Sequence, residues 1–232
     1  PGRAADVVRR PHPLLVQPPR GLGEEVRDLP GQELAHHRDP QRDYQQCRHC
    51  TLVFVPAQWL LTAAAEKAQY DLHRNAIDDP GYRAFLARAA APLQQRVPAP
   101  AAGLDFGCGP GPALAGMLRE QGYRMALYDP FYYPDDSVLA AQYDFVTCTE
   151  VIEHVYDAAA VWQQLFALLR PGGTLVVMTK RVTGREAFAR WHYKTDPTHV
   201  RFYSDATLEW IARQFNASLT LAGADVALYG TR

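Results

Sequence analysis

The stretch from Gly103 to Ala113, GLDFGCGPGPA, constrains the fold of this 232-residue chain more than any other segment. It opens as a short apolar strand and turns through Gly107, Gly109 and Gly111. It ends where Pro112 suits the first turn of a helix, since its missing N–H costs nothing there. Glycines at such a handover supply small volume and positive φ, and the helix aims its unpaired N–H groups and positive dipole end back into the turn. The alternation then continues. RMALYD, YDFVTCT and TLVVMTK read as strands, while PALAGMLREQG, AAAVWQQLFALL and SDATLEWIARQF read as helices, the last capped by Ser204. RPGG reads as a turn, and LTLAGADVALYG as an antiparallel hairpin around Gly223. The pattern predicts an α/β, doubly wound, mainly parallel sheet with an antiparallel C-terminal hairpin. The interval from Asp129 to Tyr143 is too short for a full helix and strand, so that part of the sheet is expected to be abbreviated.

Upstream, residues 1–40 are rich in Pro, Arg, Gly and Asp and show no helical or strand period, which predicts an irregular arm. RDYQQCRHCTLVFVP places Cys47 and Cys50 just before a short strand that stops at Pro56. Helices are expected over about 57–69 and 79–96. The chain thus divides into an irregular arm with a partial cysteine knuckle (1–56), a helical segment (57–99) and the alternating domain (100–232). Cys47 and Cys50 have zinc-ligand spacing, yet one pair is half a tetrahedral site. His36, His37 or His49 would have to complete it, and a knuckle remnant that only packs is the simpler reading. Redox use is disfavoured because the pair precedes a strand rather than a helix.

A net charge of −1 gives no overall field toward nucleic acid or an acidic membrane. There is no apolar run of spanning length, and no charged-then-apolar signal segment opens the chain, though its start at Pro1 leaves room for an upstream leader. Four dispersed cysteines suit a reducing, cytoplasmic compartment.

Two ligand classes use a glycine turn after the first strand of such a sheet. The dinucleotide fingerprint wants its third glycine where Pro112 stands, and Asp105 does nothing for a pyrophosphate. D-F-G-C-G-P-G instead resembles the first motif of class I S-adenosylmethionine-dependent methyltransferases, and the likeness extends through RMALYDP, YDFVTCTEVIEH and LLRPGGTLVVMTK over about residues 100–232. That resemblance implies a Rossmann-like methyltransferase sheet with S-adenosylmethionine as cofactor. Asp105 would hold the methionine amino group, with Phe106, Gly107, Cys108, Gly109 and Gly111 wrapping the cofactor. Asp129, followed by Pro130, would bridge the ribose hydroxyls, and Thr149 and Glu150 would line the far side near the methyl group. Segments before the first strand commonly form a lid in this fold, which offers Tyr70, His73 and Tyr82 as covering groups.

TEVIEH lies where a strand meets the next helix. A helix starting near Glu150 would put Glu150, Glu153 and His154 on one face. Three uses stand side by side. His154 and His199 serve as catalytic or substrate-orienting groups with no metal; or the carboxylates and imidazoles bind a divalent cation, with His199 or His192 adding a ligand; or, as in many metal-free methyltransferases that this block resembles, the first residues line the cofactor's outer edge and the histidine packs locally. The metal-binding use resembles the E-x-x-E-H arrangement of small-RNA 2′-O-methyltransferases and some quinone-pathway O-methyltransferases. Arg181, Lys194 and Arg201 are expected to meet an anionic acceptor. The function implied is methyl transfer to a small-molecule acceptor, with no membrane partner. The alternatives are a metal-assisted O-methyltransferase acting on an RNA or quinone-type hydroxyl, and a non-catalytic cofactor-binding regulator. The absence of a basic track weighs against nucleic acid.

Overall fold

The computed structural model describes residues 33–72 and 76–232, so most of the expected arm, and His73, lie outside the described residues. The chain enters through three strands, β1 (Glu33–Arg38), β2 (Asp43–Cys47) and β3 (Val53–Phe54). Helices α1 (Ala63–Tyr70) and α2 (Pro80–Arg96) follow. The alternating part runs β4 (Ala102–Phe106), α3 (Ala113–Glu120), β5 (Arg124–Tyr128), β6 (Tyr143–Thr149), α4 (Ala158–Ala167) and β7 (Leu169–Met178). It closes with α5 (Arg185–Ala189), β8 (Arg201–Phe202), α6 (Asp205–Gln214), β9 (Ser218–Ala222) and β10 (Val226–Gly230).

The larger sheet has the order β5-β4-β6-β7-β10-β9. Strands β4 to β7 run parallel, and β10 is antiparallel to both β7 and β9. The expected doubly wound sheet with its C-terminal hairpin is present. Helices cover both faces because the parallel strands are apolar on both sides. Trp162, Phe166, Tyr203 and Tyr229 fill one face, and Leu86, Leu93, Leu114 and Phe145 the other. A Cβ at Gly103 would lie 2.2 Å from the Phe145 ring, so that ring needs a glycine on the neighbouring strand.

Local signals explain most boundaries. Asp79 accepts the Tyr82 N–H at the start of α2, with Pro80 in its first turn. Ser204 and Thr207 form a capping box at α6. Between β5 and β6 there is no full helix, just a short 3₁₀ turn over Asp136–Ala140. The expected helix over 57–69 is shorter: a 3₁₀ turn at Ala57–Trp59 precedes α1, which starts after the Thr62 cap. RPGG is an excursion within β7, whose pairing jumps from Tyr143↔Leu169 to Phe145↔Thr174, with Gly172 at φ 77°.

The described residues before Pro56 depart from the expected irregular segment. β1, β2 and β3 form an antiparallel sheet that β8 completes, in the order β1-β2-β3-β8. Its inner side holds Tyr44, Val53, Phe188, Tyr193 and Phe202. More than half of that cluster comes from beyond residue 185, so a local reading of ELAHHR and DYQQC has no apolar face to detect. Among the described residues, no helix is long and apolar enough to cross a membrane.

Candidate functional site

The carboxyl ends of β4, β5 and β6 meet at one edge, where a parallel sheet leaves a crevice. The glycine turn after β4 is fixed there from below, as the Gly107 and Cys108 N–H groups donate to Tyr128 O at 2.7 and 3.2 Å. Gly107 and Gly109 adopt φ of 74° and 62°. A Cβ on Gly107 would sit 2.4 Å from a Val151 methyl, whereas one on Gly109 would meet nothing within 4 Å. The turn is therefore packed on one side and open on the other. Pro112 starts α3 with no side-chain acceptor; the Ala113 N–H donates to Gly111 O at 2.7 Å and the Ala115 amide donates to the Asp105 carboxyl. The open side of the turn above Gly109 has room for the amino-acid end of S-adenosylmethionine.

Both expected acids are present and each organises the turn. Asp129, 7 % exposed, accepts the Gly109 N–H on Oδ2 at 3.0 Å, and those of Phe131 and Tyr132 on Oδ1 at 2.9 and 3.0 Å. Asp105 is buried and accepts the Thr147 hydroxyl at 2.7 Å. Burial pushes its carboxyl up to about 6, against the pull of Thr147 and the Ala115 amide. The Phe106 ring packs 5.2 Å from Tyr128, and burial together with the two acids raises the Cys108 thiol. Pro130 follows at the exposed rim. From α2, Tyr82 faces Asp105, Glu150 and Cys108, and burial beside those groups lifts its hydroxyl to about 12.

Beyond β6 the structure corrects the expected helix. Glu150 takes a left-handed φ of 53°, a conformation that costs a non-glycine residue about 1 kcal/mol or more. Residues 152–154 form a turn, and α4 starts at Ala158 behind the Asp157 cap. Glu150, Glu153 and His154 therefore share no helix face; a distant segment gathers them instead. The Tyr193 hydroxyl donates to Glu153 Oε1 at 2.5 Å and lies 3.4 Å from Glu150 Oε2. His154 donates from Nδ1 to Thr198 O at 3.2 Å, and His199 from Nδ1 to Tyr193 O at 2.7 Å, with His199 Nε2 turned toward Asp196 Oδ2 at 3.9 Å. The two imidazoles lie 4.7 Å apart, centroid to centroid.

Ligand-capable atoms of Glu153, His154 and His199 fall within 4.8 Å of one another. Glu150 Oε1 and Glu153 Oε2 are buried with no hydrogen-bond partner. Burial, reinforced by the Glu153 carboxyl, pushes Glu150 up to about 8, and burial pushes Glu153 to about 7. Lys180, its ammonium 5.2 Å over the Tyr193 ring, draws Glu150 the other way. Tyr70 closes the cluster's outer side, 5.3 Å from His154 and 5.8 Å from Phe131.

The three cations expected to meet an anionic acceptor are engaged elsewhere. Arg181 pairs with Asp205 and donates to Gly223 O, Lys194 is buried against Asp39, and Arg201 donates to Tyr156 O. Tyr193 and Thr147 carry no signal in the sequence, because their roles depend on cross-chain partners. The WHY stretch suggests its histidine alone, yet His192 is on the outside and Tyr193 faces the carboxylates.

Residues 74–221 match the family model described as a methyltransferase domain. Over 115 residues the chain is 30 % identical to a ubiquinone biosynthesis O-methyltransferase of Aeromonas salmonicida, covering 46 % of this chain and 48 % of that protein. It thus spans about half the length of that curated relative. A 40-residue stretch is 52 % identical to the protein of the same name from Psychrobacter cryohalolentis, 17 % of this chain and 16 % of the other. Among solved structures, the Burkholderia thailandensis 1,6-didemethyltoxoflavin-N1-methyltransferase, crystallised with its substrate and S-adenosylhomocysteine, aligns with a TM-score of 0.52 at 19 % identity, covering 85 % of this chain and 98 % of that one. An S-adenosylmethionine-dependent methyltransferase from Archaeoglobus fulgidus also gives 0.52, at 14 % identity over 65 % of this chain and 94 % of that chain. At these identities the two structures speak for the fold.

Proposed function

The chain belongs to the methyltransferase-domain family, and from that premise we propose that it transfers the methyl group of S-adenosylmethionine to a small-molecule acceptor. The observation that carries the reading is the glycine turn, open above Gly109 and tied through that residue's amide to Asp129. S-adenosylmethionine supplies an electrophilic methyl group on a sulfonium centre. In this reading Asp105 holds its methionine amino group, and Phe106, Gly107, Cys108, Gly109 and Gly111 wrap its amino-acid end. Asp129 and Pro130 take the ribose side, and Thr149 and Glu150 border the transferring methyl. Residues 57–99 serve as a lid through Tyr70 and Tyr82. His199 and His154 orient the acceptor and accept its proton at Nε2, and alignment does most of the remaining work. The near-neutral charge supports a metabolite rather than a nucleic acid, and four free cysteines among the described residues support a cytoplasmic location.

Calorimetric titration with S-adenosylmethionine and S-adenosylhomocysteine tests this. Micromolar dissociation constants are expected for both. A folded chain that binds neither would overturn the assignment. Binding without turnover on a panel of phenols, amines and carboxylates would favour the regulatory alternative.

A second reading is favoured by the Glu153, His154 and His199 cluster and the unpaired Glu153 Oε2. Those three residues would hold a divalent cation, which lowers the pKa of an acceptor hydroxyl. The test is the pH dependence of stability in metal-free protein. Carboxyls raised to about 8 and 7 bind protons in the folded state that the unfolded chain has already released. Their contribution is complete below the unfolded value near 4.5 and is lost as pH rises through 7 and 8. The thermal midpoint should fall by several degrees from pH 5 to pH 8, and added Mn²⁺ should restore it at pH 8. No effect of Mn²⁺, Mg²⁺ or Zn²⁺ on the midpoint or on turnover would exclude the cation.

A further inference from the structure

We propose that the turn from Cys47 to Cys50 is a thiol–disulfide exchange site whose oxidant is a low-molecular-weight disulfide. The turn is closed at both ends: Thr51 N–H donates to Cys47 O at 3.0 Å, and Cys47 N–H donates to Leu52 O at 2.9 Å. Thr51 takes φ 61° to make this possible. Its hydroxyl is held 3.0 Å from Ser204 Oγ and 3.2 Å from Thr207 Oγ1, so the turn is braced on the capping box of α6. Cys47 packs against the cluster that holds Cys50, and the Cys50 thiol and the amides of Cys50 and His49 act on the Cys47 sulfur to draw its thiol down. These are the donors a thiolate needs, and they come from a turn instead of a helix N-terminus. The position before a strand, which argues against redox use from sequence, loses its force.

The two sulfurs differ in access. Cys47 is half-buried, while Cys50 is 4 % exposed among Leu52, Trp162 and Tyr203. An external reagent reaches Cys47 and not Cys50. The Cys50 contact and the two amides draw Cys47 down to about 5 against its own burial, and the same contact, with burial, raises Cys50. The other thiols are poor competitors, since burial raises both Cys108 and Cys148. A metal is a weaker occupant: among the described residues the one group of three or more metal-ligating side chains lies at Glu153, His154 and His199.

The exchange balances in two steps. The Cys47 thiolate attacks one sulfur of the small disulfide, forms a mixed disulfide and releases one small thiolate. Cys50 then gives up its proton, attacks Cys47 Sγ and expels the second small thiolate. Two electrons pass from the pair to the reagent, which leaves as two thiols.

The test uses the full chain, reduced and then exposed to oxidised glutathione at pH 7, with intact-mass and peptide-mapping readouts. Wild type should lose two hydrogens, give a Cys47–Cys50 peptide bridge and recover on adding dithiothreitol. Cys50→Ser should trap one glutathione on Cys47, and Cys47→Ser should leave Cys50 unmodified. Modification at Cys47 should outpace that at Cys108 by at least about tenfold. Glutathione on Cys108 first, a bridge joining any other pair, or purified wild type carrying stoichiometric zinc that blocks both thiols would overturn the proposal. The wild-type mapping decides the matter even if a serine variant fails to fold, and it is independent of any methyl-transfer activity.

Discussion

Arg42→Met should lower the thermal midpoint by roughly 10 °C, a large loss for the exchange of one polar side chain. Arg42 is 6 % exposed and donates all along its guanidinium. Nη2 reaches the carbonyls of Lys194, Asp196 and His199 at 2.7, 2.8 and 2.9 Å, Nη1 reaches Pro197 O at 3.0 Å, and Nε reaches the Tyr44 hydroxyl at 3.0 Å. Methionine keeps much of the apolar stem and none of the donors, so Pro197 O and His199 O are stranded, while Lys194 O keeps the Tyr44 hydroxyl and Asp196 O keeps the His199 N–H. Each stranded acceptor costs about 1–3 kcal/mol, and partial rehydration brings the sum to about 3 kcal/mol. Arg42→Lys should recover less than half, because an ammonium cannot span the same fan of acceptors. Thermal melts of the three proteins decide the matter, and a change of under about 2 °C for methionine would show that water replaces the guanidinium. The same loop carries His199, so methyl transfer should fall with stability while cofactor affinity holds.

Asp129→Ala should weaken S-adenosylmethionine binding by about a hundredfold or more, alongside a loss of stability. The carboxylate takes three backbone N–H groups, one of them from Gly109. Hydrogen bonds to a charged acceptor contribute about 1.5–3 kcal/mol apiece, and here they set the shape of the cradle as well as its charge. Asp129→Asn keeps one carbonyl oxygen and should lie between alanine and wild type. Calorimetry measures all three, and a loss of less than about fivefold for alanine would mean that the turn holds its form without the acid.

The sheet is legible in the sequence because its evidence is local. Period, glycine turns and caps lie within a few residues of the elements they define, and Asp79, Ser204 and Gly223 mark boundaries that the structure keeps. The glycine turn with its two acids is legible for the same reason, lying at a strand end and at fixed places along parallel strands. The cluster beyond β6 is not. Glu150, Glu153 and His154 are brought together by Tyr193, Thr198 and His199, some forty residues away in sequence, and no helical spacing encodes that. Arg181, Lys194 and Arg201 resemble a cationic surface in the sequence because the carbonyls and carboxylates that occupy them are contributed by other segments. β1 and β2 are hidden because their apolar partners, Phe188 and Phe202, come from the far end of the chain.

The small sheet β1-β2-β3-β8 has a consequence for how this protein can diverge. Its last strand lies inside the region matched by the family model and its first three lie outside. The stretch 181–203 is thus sewn into the N-terminal strands by ladder pairing and by Arg42. A transplanted 181–203 segment from a relative would arrive without its matching strands, and a transplanted N-terminus would arrive without its fourth. The two must be exchanged as one piece if the ladder and the Arg42 hydrogen bonds are to be kept.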